Sequence, residues 1–357
     1  MTLFKKLSAV LGSAGLIAAL VVAPVAAASL LNIDFESYTL GTINGQDGWT
    51  SLGAAGSGCA VYDHEVDGSG GVVGFGNQSL RISNAVTSGC FGDQTFSKSL
   101  TDEAGETTAQ NGGMSSGTRQ PYFEAQWDFA STVPGNEQPG LSVVASPDRG
   151  DGARMSWIQM QDTATGLAVN FNNYKDVAPL GTLANPSDGC GVGDDFIFSA
   201  VATGLDRTSP HTIKFTMDLV DGPNNDVVKV YVDGTLRHTD TSWEDYFRWC
   251  TESGGGVAND PIADASRTVD SVLFRTGGIA APATSGNGFL IDNLSLSSGP
   301  IPQVVVGPPT SKDECKNGGW QTFNTPVFKN QGDCVSFVAS KGKAKGNPVV
   351  NFLNAIF

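Results

Sequence analysis

The sequence predicts an all-β protein built from two packed antiparallel sheets. Between His211 and Tyr246, apolar and polar residues alternate with a period of two, and Asp/Asn/Gly turns separate the strands. Such alternation is typical of strands with one buried face, and an Asp-Gly pair such as Asp233-Gly234 is typical of a tight hairpin. The 357 residues include 45 glycines and 17 prolines, and no long stretch has a convincing helical period.

Similar patterns predict further strands on both sides of this segment. They cover Leu31–Glu36, Gln78–Ser83, Phe91–Ser99, Tyr122–Ala130, Gly140–Ser146, Arg154–Asp162, Gly166–Tyr174, Asp195–Ala202, Ser271–Arg275 and Phe289–Leu296. Ten or more antiparallel strands separated by glycine-rich loops favour a sandwich of two sheets over a small barrel.

The chain is expected to have four parts. Residues 1–28 have Lys5 and Lys6, an apolar core and an Ala-x-Ala end, which is the pattern of a cleavable secretory signal. A membrane anchor is the alternative, but the apolar run is shorter than the ~20 residues that span a bilayer. Residues 29–298 form the large domain, 299–311 a Gly/Pro linker, and 312–357 a small module with two cysteines and a tail.

The charge of the large domain argues against nucleic acid or an anionic membrane as a partner. Residues 29–310 carry 13 Lys/Arg and 33 Asp/Glu, a net charge of −20. Both of those partners require clustered positive charge. No segment after the signal is apolar and long enough to span a membrane. The oligomeric state stays open.

The six cysteines are expected to form disulfides, because the protein is predicted to be exported. Fifteen pairings are possible, and the sequence alone does not select one. Short separations favour Cys59–Cys90, Cys190–Cys250 and Cys315–Cys334. Since no C-x-x-C or C-x-x-H spacing is present, the cysteines are interpreted as structural.

Several segments resemble a known family. The segments are IDFESYTLGTINGQDGW, SLRISNAVTSGCFGDQTFS, SPDRGDGARMSW, VKVYVDG, SRTVDSVLFRTG and GFLIDNLSLS. Together, over residues 31–297, the chain resembles secreted bacterial concanavalin A-like, laminin-G-like jelly rolls. SKDECKNGGW and FKNQGDCVSFV are similar to a small module found at the end of other exported bacterial proteins.

The resemblance implies the fold more specifically than the function, because its members include lectins, glycan-binding modules, glucanases and lyases. We expect an extracellular lectin-like protein that binds carbohydrate or a cell-surface matrix polysaccharide. A hydrolase or lyase acting on glycans is the alternative, and a non-catalytic structural exoprotein is another.

The candidate catalytic residues are two carboxylates on one predicted strand. Glu124 and Asp128 share one face of a predicted strand, but they are four residues apart, or ~13 Å, whereas retaining glycoside hydrolysis needs carboxylates ~5 Å apart. A solvated polar face is the alternative interpretation. A lyase would need a basic Tyr or His beside Arg or Gln, and the chain offers Arg154, Gln159, Gln161, Tyr174 and His211 without a motif that organises them.

Two binding sites are hypothesised. Trp243, Tyr246 and Trp249 are three residues apart and, in a helical turn, would share a face on which sugar rings could stack. Packing of these rings into the core is the alternative. Asp34, Glu36, Asp292 and Asn293 lie on the first and last strands and supply the hard oxygen ligands that calcium prefers. Turn hydrogen bonds without metal are the alternative there, and no other cofactor is expected.

Overall fold

The structure is a computed structural model. It describes residues 29–52, 63–87, 93–107, 109, 117–152, 154–175, 196–222, 224–249, 267–302, 307–316, 319–323 and 325–341, without the side chains of residues 245, 248 and 249. The predicted signal and four of the cysteines (Cys59, Cys90, Cys190 and Cys250) lie outside the described residues. The chain divides into two compact units between Pro300 and Ile301.

The described part of the first unit contains sixteen strands and one short α-helix. The strands are β1 Ser29–Ile33, β2 Gly41–Thr42, β3 Thr50–Leu52, β4 Asp63–Gly68, β5 Gln78–Ser83, β6 Gln94–Phe96, β7 Tyr122–Ser131, β8 Ser142–Asp148, β9 Trp157–Thr163, β10 Gly166–Tyr174, β11 Phe196–Leu205, β12 His211–Asp218, β13 Val227–Val232, β14 Thr235–Asp240, β15 Ser271–Thr276 and β16 Phe289–Gly299. The helix α1 is Glu244–Trp249.

These strands form two sheets. The nine-stranded sheet has the order β14-β13-β12-β7-β16-β5-β4-β2, with β1 paired to β16, and the seven-stranded sheet has the order β11-β10-β9-β8-β15-β6-β3. Every ladder between these strands is antiparallel. The sequence-based prediction of an antiparallel β-sandwich is therefore confirmed.

The hydrophobic core lies between the two sheets. Along β7, Phe123, Trp127 and Phe129 are buried in this core, and the intervening polar residues face outward. The ring of Trp127 meets Phe274 of the seven-stranded sheet edge to face, with centroids 6.0 Å apart. Burial of each such aromatic side chain contributes about 1.5–3 kcal/mol. The period-two alternation thus assigns each strand residue either to the core or to an outer face.

The hairpin between β13 and β14 has the predicted turn. Asp233 and Gly234 have φ angles of 50° and 72°. Positive φ at both central positions is the type I′ turn, whose twist matches that of the flanking strands.

The second unit contains a disulfide and a short helix. Cys315 is bonded to Cys334, which confirms the predicted pair. Cys334 lies in the helix α2, Gln331–Ala339, whose N-cap Asn330 accepts a hydrogen bond from the backbone N–H of Asp333. Phe323 and Phe328 pack around the two cysteines. Among the residues that the structure describes in either unit, no helix has the length and apolar character to span a membrane.

Candidate functional site

The aromatic residues predicted to stack on sugars are buried. Trp243 is 1% exposed and Tyr246 is 5% exposed. Trp243 donates its indole N–H to the carbonyl of Asn172 at 2.8 Å, and Tyr246 packs edge to face against Tyr174. The prediction that Trp243 and Tyr246 form a solvent-facing platform is therefore wrong, because Trp243, just before α1, and Tyr246, within it, both pack against strands of the seven-stranded sheet. The side chain of Trp249 lies outside the described residues.

Other aromatic side chains reach solvent on the outer face of that same sheet. Trp157 of β9 pairs with Asn172 of β10, which pairs with Phe198 of β11. Trp157 is partly exposed and Phe198 is 59% exposed. Because adjacent strands are ~4.8 Å apart, the backbones of Trp157 and Phe198 lie ~10 Å apart across one row of the sheet.

Amide side chains fill the neighbouring row of this face. Gln159 of β9 pairs with Asn170 of β10. Gln159 donates its Nε2 to Ser142 Oγ at 2.7 Å, and Asn170 donates its Nδ2 to Gln161 Oε1 at 2.8 Å. Within the described residues, Oε1 of Gln159 and Nε2 of Gln161 make no hydrogen bond, so an acceptor and a donor remain for a ligand.

Two arginines border the exposed tryptophan. The guanidinium carbons of Arg275 and Arg154 lie 5.2 and 5.7 Å from the ring centroid of Trp157. Burial lowers the pKa of Arg275, and the nearby charge of Arg154 lowers it further, although Asp93 acts in the opposite direction. Two guanidinium groups therefore flank the partly exposed ring of Trp157, with the carboxylate of Asp93 near Arg275.

We use the name outer-face groove for the surface formed by the side chains of these two rows and their border, of which Asn170 is buried and the others are partly or largely exposed. Its members are Arg154, Trp157, Gln159, Gln161, Asn170, Asn172, Phe198 and Arg275. Sequence reasoning singled out Arg154, Gln159 and Gln161 only as residue types and missed the rest. The signal was present as alternation in WIQMQ, VNFNN and FIFSA, but the sequence does not specify which face of each strand is exposed.

The carboxylates considered for catalysis lie on the other sheet. Glu124 and Asp128 face outward from β7, as predicted, but each is fixed by neighbours. Tyr122 donates its hydroxyl to Glu124 at 2.6 Å, and Thr212 and Asn293 donate to Asp128 at 2.5 and 2.8 Å. Four residues of strand separate the two carboxylates, so they cannot act as a retaining pair.

The residue types considered for a lyase are divided between the sheets. Arg154, Gln159 and Gln161 lie in the outer-face groove. Tyr174, the last residue of β10 in the same sheet, is fully buried. His211 begins β12 of the nine-stranded sheet, where its two ring nitrogens contact Asp233 and the carbonyl of Asp206. Neither Tyr174 nor His211 is therefore placed to take a proton from a sugar in the outer-face groove.

The residues expected to bind calcium are only partly brought together. Glu36 accepts hydrogen bonds from the backbone N–H of Gln78 and from Asn77, and Asp292 accepts one from the backbone N–H of Gly76. Burial raises the pKa of Asp292 to about 6, and the charges of Glu36 and Asp34 raise it as well. Asp34 and Glu36 therefore lie close enough to Asp292 for their charges to act on it.

Asn293 departs from the expected calcium set. It has a φ of 50° at a bulge in β16, and its side-chain nitrogen donates to Asp128 and to the carbonyl of Gly74. The Asn293 side chain therefore makes these contacts through its amide nitrogen, whereas a calcium ligand would have to be its oxygen.

A tighter group of carboxylates lies at the opposite end of the domain. Glu106, Asp226 and Glu244 are all buried, and one oxygen of each lies within 4.8 Å of the others. Of the described residues, this is the one group of three or more acidic, His or Cys side chains with a spacing that could enclose one metal ion. The backbone of Asn225 and the hydroxyl of Ser242 also donate to Glu244 and Asp226.

Comparisons with known proteins give remote similarities. No protein-family model and no curated protein matches the chain. The endo-1,3-beta-glucanase from Streptomyces sioyaensis is similar at 13% identity and a TM-score of 0.32, over 72% of this chain and 99% of that one. An alginate lyase, vAL-1, from Chlorella virus is similar at 11% identity and a TM-score of 0.36, over 73% and 99%.

A basic winged bean lectin is also similar, at 9% identity and a TM-score of 0.33, over 76% of this chain and 99% of the lectin. At these identities the likeness concerns the fold alone.

Proposed function

We propose that the protein is exported and binds a polysaccharide in the outer-face groove of its seven-stranded sheet. The observation that carries the proposal is the pair of solvent-reaching rings, Trp157 and Phe198, beside a row of amides. Sugar rings have apolar C–H faces and polar edges. Aromatic side chains therefore cover the faces with little loss of rotamer freedom, and amides such as Gln159 bond to the hydroxyl groups.

The ligand is proposed to carry negative charge. Arg154 and Arg275 place two guanidinium groups against Trp157, and such groups bind carboxylates and similar anions in a bidentate way. A bound anion would also offset the repulsion between these two charges. A uronate or sulfated polysaccharide fits this groove better than a neutral one, even though the domain as a whole is acidic.

A lyase acting on such a polymer is the second candidate function. The two arginines favour it, because they could neutralise the carboxylate of a uronate and so ease removal of the adjacent proton. The step also needs a base within hydrogen-bonding reach, and neither Tyr174 nor His211 meets that requirement. Binding without cleavage is therefore the better supported function.

One experiment separates these functions. The mature protein is applied to an array of neutral, uronate and sulfated glycans, and the same wells are monitored for reducing ends and for the ultraviolet absorbance of unsaturated uronates. Binding without products supports the proposal. Reducing ends without absorbance indicate a hydrolase, and absorbance indicates a lyase. Silence on all glycans favours a structural exoprotein and contradicts the proposal.

We also propose that calcium, when present, stabilises the fold. The sequence-predicted location is Asp34, Glu36, Asp292 and Asn293, whose carboxylates would supply hard oxygen ligands. Glu106, Asp226 and Glu244 are the competing location, and among the described residues they are the group whose ligand oxygens lie within 4.8 Å of one another. Melting curves in calcium and in chelator test the proposal, and one variant at each location identifies the site.

A further inference from the structure

A second groove lies on the opposite side of the domain, on the outer face of the nine-stranded sheet. Its volume is about 710 Å³. Its floor is one row of paired strand residues, which are Arg81 of β5, Leu290 of β16 and Ala130 of β7. We call it the back groove.

The two positive charges of the back groove are already neutralised. Arg81 uses all five of its N–H donors. Its Nε donates to Asp67 at 3.1 Å, its Nη1 to Asp63 at 2.9 Å and to the carbonyl of Asn287 at 3.1 Å, and its Nη2 to Asp63 at 2.8 Å and to Glu65 at 3.0 Å. Because a guanidinium has five N–H donors, Arg81 has none left for a ligand.

Arg207, the other arginine of the groove, donates its Nε to the buried carboxylate of Asp162 at 2.6 Å. Asp67 remains about half exposed at the rim. An anionic ligand would therefore find both arginines paired with carboxylates and would approach the exposed Asp67, so the groove disfavours an anionic ligand.

The walls supply neutral polar groups and apolar surface side by side. The carboxamide of Asn287 makes no hydrogen bond to another described residue, and the exposed hydroxyls of Thr208 and Ser209 retain lone pairs as acceptors. Val73, 82% exposed, stands beside them. Apolar side chains can contact the C–H face of a sugar ring while neutral donors and acceptors contact its hydroxyls.

The backbone of the floor argues against an extended peptide. Peptides that add to a sheet use the unpaired N–H and C=O groups of an edge strand. Here β5, β16 and β7 each pair with a strand on both sides. Recognition must therefore come from side chains.

We infer that the back groove is a separate binding site for an uncharged oligosaccharide. It differs from the outer-face groove in its sheet, in its lining and in the pairing of both of its arginines with carboxylates. One domain would thus hold glycans on both of its faces.

The test applies the Trp157→Ala protein to an array of uncharged glycans. Because the outer-face groove is impaired in this variant, any binding that is measured reports on the back groove, whether or not the outer-face groove binds glycans. The best-binding oligosaccharide is then titrated calorimetrically. We expect Asn287→Ala together with Thr208→Ala to weaken its binding at least tenfold. Asn136→Ala, which removes an exposed amide outside the groove, should leave binding unchanged.

Three results would overturn the inference. The array could be silent for the Trp157→Ala protein. Binding could be insensitive to the Asn287 and Thr208 changes while melting curves show that the variant is folded. Binding could also fall equally with Asn136→Ala, which would indicate a nonspecific effect. A bulkier floor, Ala130→Leu, provides an independent check, since a folded variant should bind more weakly because the groove is partly filled.

Discussion

Trp157 and Trp243 stack with ring centroids 6.0 Å apart and an angle of 26° between their planes. Trp243 is fully covered, whereas Trp157 retains a partly exposed surface in the outer-face groove. The inner ring therefore supports the outer one. Substitution of the buried Trp243 should therefore affect stability, whereas substitution of Trp157 should affect the outer-face groove.

Trp243→Ala should destabilise the protein strongly. It removes a buried ring that contacts Trp157, Phe196 and Tyr246 and leaves the carbonyl of Asn172 without its indole donor. Such truncations cost ~3–5 kcal/mol. Denaturant unfolding of the first unit measures the change. A loss below ~1 kcal/mol would contradict the buried position of this ring.

The disulfide of the second unit should be essential to that unit alone. Cys315–Cys334 closes a loop of about 20 residues, for which chain-entropy estimates give ~3 kcal/mol, and the few buried side chains around it provide little other stability. We expect Cys315→Ser to unfold residues 307–341 and leave the melting of the first unit unchanged. Protection from protease digestion, followed by mass analysis, would check this. A resistant second unit in the variant would be evidence against it.

Calcium and pH should act on the same carboxylate. The pKa of Asp292 is raised to about 6 from an ordinary value of 3.8. The folded protein then binds this proton more tightly than the unfolded chain, so in chelator its stability should rise as the pH falls from about 6 to about 4. Calcium competes with the proton, so its stabilising effect should be largest above pH 6, reaching ~2.7 kcal/mol at a hundredfold excess over Kd.

Two variants locate the calcium effect. Asp292→Asn should remove both the pH dependence and the calcium effect, whereas Glu244→Gln should remove the calcium effect only if the buried group at the other end holds the ion. Asp47→Asn, which breaks an exposed pair with Lys98, is the matched control. Identical melting of the unmodified protein with calcium and with chelator at pH 7 would exclude both locations.

Much of the sandwich could be predicted because its strands alternate clearly. The predicted bounds of Gln78–Ser83 and Gly166–Tyr174 agree with β5 and β10. The strand β4 was missed because its sequence, DHEVDG, is dominated by polar residues. In the structure Asp63, Glu65 and Asp67 alternate on its outer face and bind Arg81, which explains why a charged segment forms a strand.

The candidate site was harder to predict, for a physical reason. The spacing of Trp243 and Tyr246 did indicate a helical turn, and α1 is present. The burial of the two rings depends on Tyr174 of β10 and Phe196 of β11, which belong to the seven-stranded sheet and are distant in sequence. The pairing that aligns Trp157 with Phe198 is likewise a matter of register between strands. Alternation predicts two faces for each strand but not which one meets solvent.

The most direct test of the proposed function compares two arginines. Arg275→Gln removes a charge from the outer-face groove, and Arg237→Gln removes one from an exposed position on β14 of the other sheet. Both proteins are titrated with the uronate or sulfated polysaccharide that the array identifies. We expect Arg275→Gln to weaken binding at least tenfold and to reduce its salt dependence, while Arg237→Gln changes neither. Equal effects of the two substitutions on folded proteins would contradict a charge-selective site beside Trp157.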